Sequence, residues 1–98
     1  MSWQDKFNDW ELEKGRDYFE MNKVLFIDRD NNIFTAQVAG SDYYSEYKVT
    51  TVINNKGEVT AQKCTCPRYR DKGYCKHIIA TLFEIEKVFP DVLKGSYK

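Results

Sequence analysis

Three cysteines and the only histidine of the chain lie close together in the pattern Cys64-x-Cys66, eight residues, Cys75-x-His77. Structural zinc sites use four Cys or His ligands in a tetrahedron. Residues two apart on a strand point the same way, so Cys64 and Cys66 can present both sulfurs to one ion. The eight residues that follow are predicted to form a loop that leads to Cys75 at the start of a helical segment, whose N-terminus stabilises a thiolate. The pattern predicts one structural zinc ion held by these four residues, which obliges a strand and a helix to meet there.

Other interpretations of the four residues are less consistent with their number and spacing. Any one of the cysteines alone fits a small buried apolar residue, and His77 alone fits a hydrogen-bonded core histidine. An odd number of cysteines does not favour a disulfide framework. No βαβ pattern of the thioredoxin type surrounds the Cys-x-Cys pair, which argues against a redox site. Four protein ligands also leave no open position for the water of a catalytic zinc.

The composition is that of a small folded protein. The chain has 98 residues, of which 42% are hydrophobic and 15% aromatic, and this predicts a single domain over residues 1–98. No apolar run approaches the roughly 20 residues needed to cross a membrane. The N-terminal residues lack the basic and apolar regions of a signal peptide. We therefore expect a cytoplasmic protein that is not bound to a membrane.

The N-terminal segment has helical spacing. Residues from about Trp3 to Met21 contain no proline, and Ser2 can cap a helix there. Apolar residues fall on two sides of this helix, so we expect it to be either sandwiched or broken in two. Gly15 costs about 1 kcal/mol of helix stability relative to Ala. That cost indicates a close approach to whatever lies beneath it.

Alternating apolar and polar residues then predict four strands, over residues 24–27, 34–38, 43–53 and 59–64. Short turn sequences separate them, which favours an antiparallel meander. Helical spacing returns from about Cys75 to Phe89, and Pro90 predicts its end. The predicted fold is α+β, with an N-terminal helix, a four-stranded antiparallel sheet and a C-terminal helix joined to the last strand by the zinc site.

The region around the ligands resembles the SWIM-type zinc finger, whose pattern is C-x-C, a variable gap and C-x-H. The matching words are CTCPRY at residues 64–69 and GYCKHI at residues 73–78. Upstream, KGRDYF at residues 14–19 is similar to the segment that precedes this finger in bacterial Swi/Snf-type helicase proteins. The resemblance covers roughly residues 10–86, with the finger proper at about 59–89.

This resemblance implies a zinc-binding module that contacts DNA or other proteins. Such modules occur in bacterial helicases, plant Mutator-type transposases and some ubiquitin-ligase-like proteins. The chain contains no helicase motor, so the resemblance implies either a stand-alone copy or an N-terminal domain taken from a larger protein. We expect it to be attached to, or associated with, a nucleic-acid-dependent helicase.

The segment around the cysteines is basic although acids and bases balance over the whole chain, with 15 of each. Basic residues interleaved with tyrosine suit nucleic acid, because cations pair with phosphates and tyrosine stacks on unpaired bases. The predicted nucleic-acid or partner surface comprises Lys63, Arg68, Tyr69, Arg70, Lys72 and Lys76. The alternative is that the charges belong to a solvated loop, while Tyr69 and Tyr74 shield the zinc site.

A protein interface is the competing functional hypothesis. Ile79 and Phe83 lie away from the main apolar stripe of the C-terminal helix, and they either pack against the N-terminal helix or form an exposed interface. Trp3 and Trp10 present the same two alternatives. We do not expect an enzyme, since no nucleophile–base pair or phosphate-binding glycine loop is present in the sequence.

Overall fold

The computed structural model describes residues 3–40, 45–73 and 75–93, and it contains the predicted helices and strands in the predicted order. They are a 3-10 helix over Trp3–Lys6, α1 (Asp9–Glu20), β1 (Val24–Asp30), β2 (Ile33–Ala39), β3 (Glu46–Ile53), β4 (Val59–Cys64), α2 (Pro67–Lys72) and α3 (Lys76–Val88). The predicted α+β class is confirmed. Ser2 as a helix cap and Tyr43 as part of the third strand lie outside the described residues.

The N-terminal helical segment is broken in two. Asn8 begins α1, because its Oδ1 accepts the Glu11 N–H at 2.8 Å while Glu11 Oε1 accepts the Asn8 N–H at 3.0 Å. This reciprocal pair is a capping box, which starts a helix in a new direction. Trp3 is consequently buried, whereas Trp10, which falls on the same side of a continuous helix, is 56% exposed.

The four strands form one antiparallel sheet in the order β1-β2-β3-β4, which confirms the predicted meander. The inward-facing residues of β2 and β3 are buried: Phe34, Ala36, Val38, Val49, Thr51 and Ile53. Side chains that alternate with these lie on the opposite, open face. Phe26 and Lys63 belong to this open face, since they pair with Gln37 and Thr50 respectively.

Helix α3 is the centre of the core. It contacts all four strands and also packs along α1. Ile79 and Phe83 are both buried, and the Phe83 ring meets the rings of Trp3 at 5.0 Å and Phe19 at 5.9 Å. The packing of Ile79 and Phe83 against the N-terminal helical segment is therefore confirmed, and the alternative of an exposed Ile79/Phe83 interface is wrong.

Gly15 marks the point of closest approach between α1 and α3. A Cβ placed on Gly15 would lie 2.2 Å from Ile79 Cγ2 and 2.5 Å from Ile79 Cβ. Real Cβ atoms do not approach so closely, and Ile79 Cβ cannot move without its backbone. The close approach predicted for Gly15 is present, and it explains a glycine in the middle of a helix.

Gly15→Ala is expected to destabilise the protein by about 1–3 kcal/mol, because overpacking outweighs the gain in helix propensity. The free energy of unfolding in urea measures this. Glu13→Ala, on the exposed side of α1, is the matched control and should stay within about 0.5 kcal/mol of the original protein. Adding Ile79→Ala should give a double variant that loses less than the sum of the single losses. A stabilised Gly15→Ala protein would contradict this account of the packing.

Candidate metal centre and its surroundings

The four predicted ligands come from three consecutive elements. Cys64 ends β4, and the Cys66 side chain caps the N-terminus of α2. Cys75 occupies the N-cap position of α3, and His77 lies in the first turn of that helix. All four side chains are buried, and their ligand atoms lie within 4.8 Å of one another. The structure thus brings together the four residues that the motif predicts, and all three cysteines are free thiols rather than disulfides.

The separation between the Cys64 sulfur and His77 Nδ1 lies near the value for a tetrahedral zinc ion. Zinc bonds of 2.0–2.3 Å to nitrogen and sulfur in a tetrahedron place ligand atoms roughly 3.5–3.8 Å apart. The sulfur of Cys64 and Nδ1 of His77 are 3.9 Å apart. Three thiolates and one imidazole are also the donors that zinc prefers in structural sites. The donor set, its burial and its spacing therefore fit one structural Zn²⁺.

The segment between the two ligand pairs is a short helix, whereas the sequence predicted a loop. Pro67 occupies its first turn, where a missing N–H costs nothing, and Gly73 ends it at a φ of 78°. The Tyr69 N–H donates to Cys66 Sγ at 3.4 Å, so the second ligand also caps this helix. Pro67 near the start and Gly73 just past the end are the sequence signals typical of a short helix, and the loop prediction was wrong.

The strand pairing extends one residue beyond β4 and fixes the spacing of the first ligand pair. The Thr65 N–H donates to the Lys48 carbonyl at 3.2 Å, and Thr65 Oγ1 accepts the Lys48 N–H at 3.0 Å. Cys64 and Cys66 flank this anchored residue. Their thiols are consequently held by β3 on one side and by α2 on the other.

The three thiols have very different proton affinities without a metal. A hydrogen bond from the Cys75 thiol lowers the pKa of Cys64 to about 4, against the opposing effect of burial. Donating that hydrogen bond, together with burial, raises the pKa of Cys75. Burial also raises the pKa of Cys66. A divalent cation would replace the protons that the crowded sulfurs otherwise share, which is how thiolate sites couple metal binding to proton release.

The imidazole of His77 is oriented by aromatic rings. Its centroid lies 5.4 Å from the ring of Tyr18 and 4.9 Å from that of Tyr47. Nδ1 faces the Cys64 sulfur, while the buried Nε2 has no hydrogen-bond partner among the described residues. Metal-binding histidines usually donate their second N–H to a carbonyl or carboxylate. In this protein the rings of Tyr18 and Tyr47 orient the imidazole instead. The sequence pattern did not predict that these two residues would contact His77.

Further hydrogen bonds tie the first turn of α3 to the sheet. Gln62 Nε2 donates to Thr51 Oγ1 at 3.1 Å and to the Ile78 carbonyl at 3.3 Å. Tyr69 O–H donates to the Gln62 carbonyl at 2.7 Å. Thr81 Oγ1 donates to the His77 carbonyl at 2.8 Å. The Gln62 and Tyr69 contacts fix β4, α2 and α3 relative to one another, and the Thr81 bond lies within α3.

One segment of the chain, which contains the four ligands, is similar to a known family. Residues 49–86 match the family model of the SWIM zinc finger. This SWIM segment begins in β3 and contains β4, α2, all four ligands and most of α3. It supports a zinc-binding module, in agreement with the resemblance carried by the motif. No curated protein and no solved structure matches the chain significantly.

The predicted surface residues of the SWIM segment do not share one face. Lys63 lies on the open face of the sheet, whereas Cys64 faces the core. Arg68 and Arg70 are exposed on α2, and Tyr69 is half-buried with its hydroxyl bonded to β4. The side chain of Lys72 and all of Tyr74 lie outside the described residues.

Lys76 lies closer to the core than its charge suggests. Its Nζ lies 4.6 Å from the centroid of the Tyr18 ring. Burial lowers the pKa of Lys76, and the nearby positive charges of Lys14 and Arg68 lower it further. Cations from α1, α2 and α3 are therefore neighbours, although only Arg68 and Lys76 were predicted to share a surface.

Within the described ranges, no helix combines the length and apolar character needed to cross a lipid bilayer.

Cys64→Ser, Cys75→Ser and His77→Ala are each expected to abolish stoichiometric zinc binding and to destabilise the protein by at least about 3 kcal/mol, since structural zinc contributes folding free energy. Native mass spectrometry reports the zinc content. Thermal melts with and without a chelator report the stability, with a fall of more than about 10 °C expected. Thr65→Ser, between two ligands, should retain zinc and melt normally. A cooperative melt that a chelator leaves unchanged would contradict a structural zinc.

His77 is expected to bind zinc through Nδ1 and to carry its proton on Nε2, because Nδ1 is the nitrogen that faces the Cys64 sulfur. A long-range ¹H–¹⁵N spectrum of zinc-loaded protein tests this directly. The chain has one histidine, so a single imidazole contributes. A metal-shifted Nδ1 beside a protonated Nε2 is the expected pattern, and the reverse assignment would contradict it.

Proposed function

We propose that this chain is a zinc-stabilised accessory module that contacts DNA, using the exposed arginines on helix α2 of the SWIM segment. The observation that carries the proposal is the placement of Arg68 and Arg70 on α2, a helix that begins at one zinc ligand and ends just before the next. Arginine pairs with phosphates in a planar, bidentate manner. A short helix anchored at both ends presents these guanidinium groups without the entropic cost of ordering a free loop.

The attraction to DNA is local rather than global in this proposal. The chain carries no formal net charge, so its overall field does not steer a polyanion toward it. Contact instead depends on a few cations held in place, which gives modest affinity with a small number of phosphate contacts. An accessory role beside a nucleic-acid-dependent motor in the cytoplasm suits such a surface better than independent high-affinity binding. The proposal includes no catalytic activity.

A protein-interaction module is the second candidate function. Ile79 and Phe83 are buried, so the interface would lie elsewhere. Leu25, Phe26 and Ile33 are each about half exposed, at 50%, 55% and 45%, on the hairpin at one edge of the sheet. Among the described residues, the outer edge of β1 pairs with no other strand. Exposed apolar groups beside such an edge favour a protein partner that adds a strand.

Fluorescence anisotropy with labelled DNA tests the main proposal. Zinc-loaded protein is titrated against single- and double-stranded DNA at low and moderate salt. Arg68→Ala/Arg70→Ala is expected to weaken binding by at least about 10-fold at low salt and to reduce the log–log salt slope by about 1.4–1.8, because two phosphate contacts are lost. Removal of zinc should abolish binding as well.

Lys48→Ala/Lys56→Ala removes the same charge from exposed positions outside α2 and should bind DNA as tightly as the original protein. Equal losses in the two double variants would indicate a nonspecific charge effect and contradict the assignment to α2. Absence of DNA binding at low salt would reject the nucleic-acid proposal and favour the β1–β2 edge as the functional surface.

A further inference from the structure

A groove between α1 and the SWIM segment brings together side chains that are distant in sequence. A cavity of about 150 Å³ is lined by Trp10, Glu11 and Lys14 from α1 and by Arg68 and Lys76 across from them. A second cavity of about 380 Å³ shares Lys14 and Lys76 and extends to Lys23. The two cavities adjoin at the shared lysines, and we name them together the α1 groove.

Trp10 is the aromatic component of the α1 groove. Its indole is 56% exposed, although Trp3, Phe7 and Phe83 nearby in the fold are buried. Lys14, one helical turn further on, places its Nζ 4.8 Å from the centroid of the Trp10 ring. Exposed tryptophan beside cations is the arrangement that proteins use to stack an unpaired base while pairing with its phosphates.

The charges lining the groove favour an anionic ligand. Lys14, Arg68 and Lys76 come from three different helices and converge on the smaller cavity. Glu11 is the acid that lines it, and its Oε1 already accepts the Asn8 N–H in the capping box. The larger cavity adds Lys23 and one acid, Asp17. Positive charge therefore predominates along the groove of a chain that is neutral overall.

Charge balance at the metal centre does not account for the whole arrangement. Three thiolates and Zn²⁺ together carry a charge of −1, and Cys75 does line the smaller cavity. That charge and the Glu11 carboxylate amount to two negative charges, whereas three cations converge on the smaller cavity. Charge compensation also gives no reason for an exposed tryptophan, Trp10, in the lining of the smaller cavity.

We infer that the α1 groove binds single-stranded DNA, with one base stacked on Trp10 and the neighbouring phosphates paired with Lys14, Arg68 and Lys76. The inference rests on the proposed DNA contact and gives it a strand preference and a site. Paired bases in a duplex do not expose their faces to a side chain, so stacking on Trp10 selects unpaired DNA. Arg68 belongs to both surfaces and links α2 to the groove.

Titration of oligo(dT) into zinc-loaded protein, followed by tryptophan emission and by anisotropy, tests the inference. Trp10→Ala is expected to weaken binding about 5- to 150-fold, the range found for loss of one stacked base. Quenching of the emission should persist in Trp3→Phe and disappear in Trp10→Phe. Lys14→Ala should lower the single-strand salt slope by about 0.7.

Phe26→Ala is the matched control, because Phe26 is 55% exposed but lies on the open face of the sheet. It should bind oligo(dT) as the original protein does. Zinc content and melting temperature, measured for every variant, establish that each is folded.

The outcomes separate this inference from the proposed function. If Trp10→Ala alone weakens oligo(dT) binding, and oligo(dT) quenches the tryptophan emission of the original protein, the groove is supported. If Trp10→Ala binds DNA normally while Arg68→Ala/Arg70→Ala binds it more weakly, the groove assignment is wrong but the proposed DNA contact is still supported. Tighter binding of duplex than of oligo(dT) also overturns the groove. Absence of binding to either form of DNA overturns both.

Discussion

The meeting of the Cys64 sulfur with His77 Nδ1, 3.9 Å apart, joins the end of the sheet to the start of the central helix. The positions of α2 and of the first turn of α3 depend on this junction. Helix α2 has six residues and is too short to be stable in isolation, so the ligands at its ends define its position. The first turn of α3 is held by the same junction and by the side chains of Gln62 and Thr81. The zinc ligands and these hydrogen bonds therefore stabilise the same turn of α3.

Helix α3 connects the metal junction to the rest of the fold. Because α3 contacts the sheet on one side and α1 on the other, a shift at His77 would move both layers. Gly15 permits α1 to approach until Ile79 touches its backbone, which leaves little room for adjustment. A domain of this size has a small core, and close packing about one buried helix makes the most of it. The zinc site and the Gly15 contact are therefore two ends of one packing arrangement.

Local sequence predicted the features that depend on local chemistry. The ligand motif, the four strands and the final helix follow from spacing and alternation over a few residues. The break at Asn8 was one of two expected outcomes, and the Asn8–Glu11 capping box that produces it is visible in the sequence. Helix α2 had a signal in Pro67 and Gly73 that was outweighed by its basic, loop-like composition. The rings around His77 and the approach of Lys14 to Arg68 depend on tertiary packing, which no short window of sequence encodes.

The packing around α3 also determines how zinc binding would affect the proposed binding of DNA. Arg68 lies two residues beyond Cys66, on a helix that the zinc ligands position, whereas Trp10 and Lys14 lie on α1, which is positioned by Gly15 and Ile79. The α1 groove forms only where these two supports meet at α3. If the groove binds DNA as proposed, zinc would strengthen that binding without touching the DNA, by fixing one wall of the groove relative to the other. Zinc and DNA would both bind more tightly to the state in which α2 and the start of α3 are ordered. Two sites are coupled when both ligands favour the same conformational state. Loss of zinc would leave Trp10 and Lys14 intact on α1 while removing the wall that faces them.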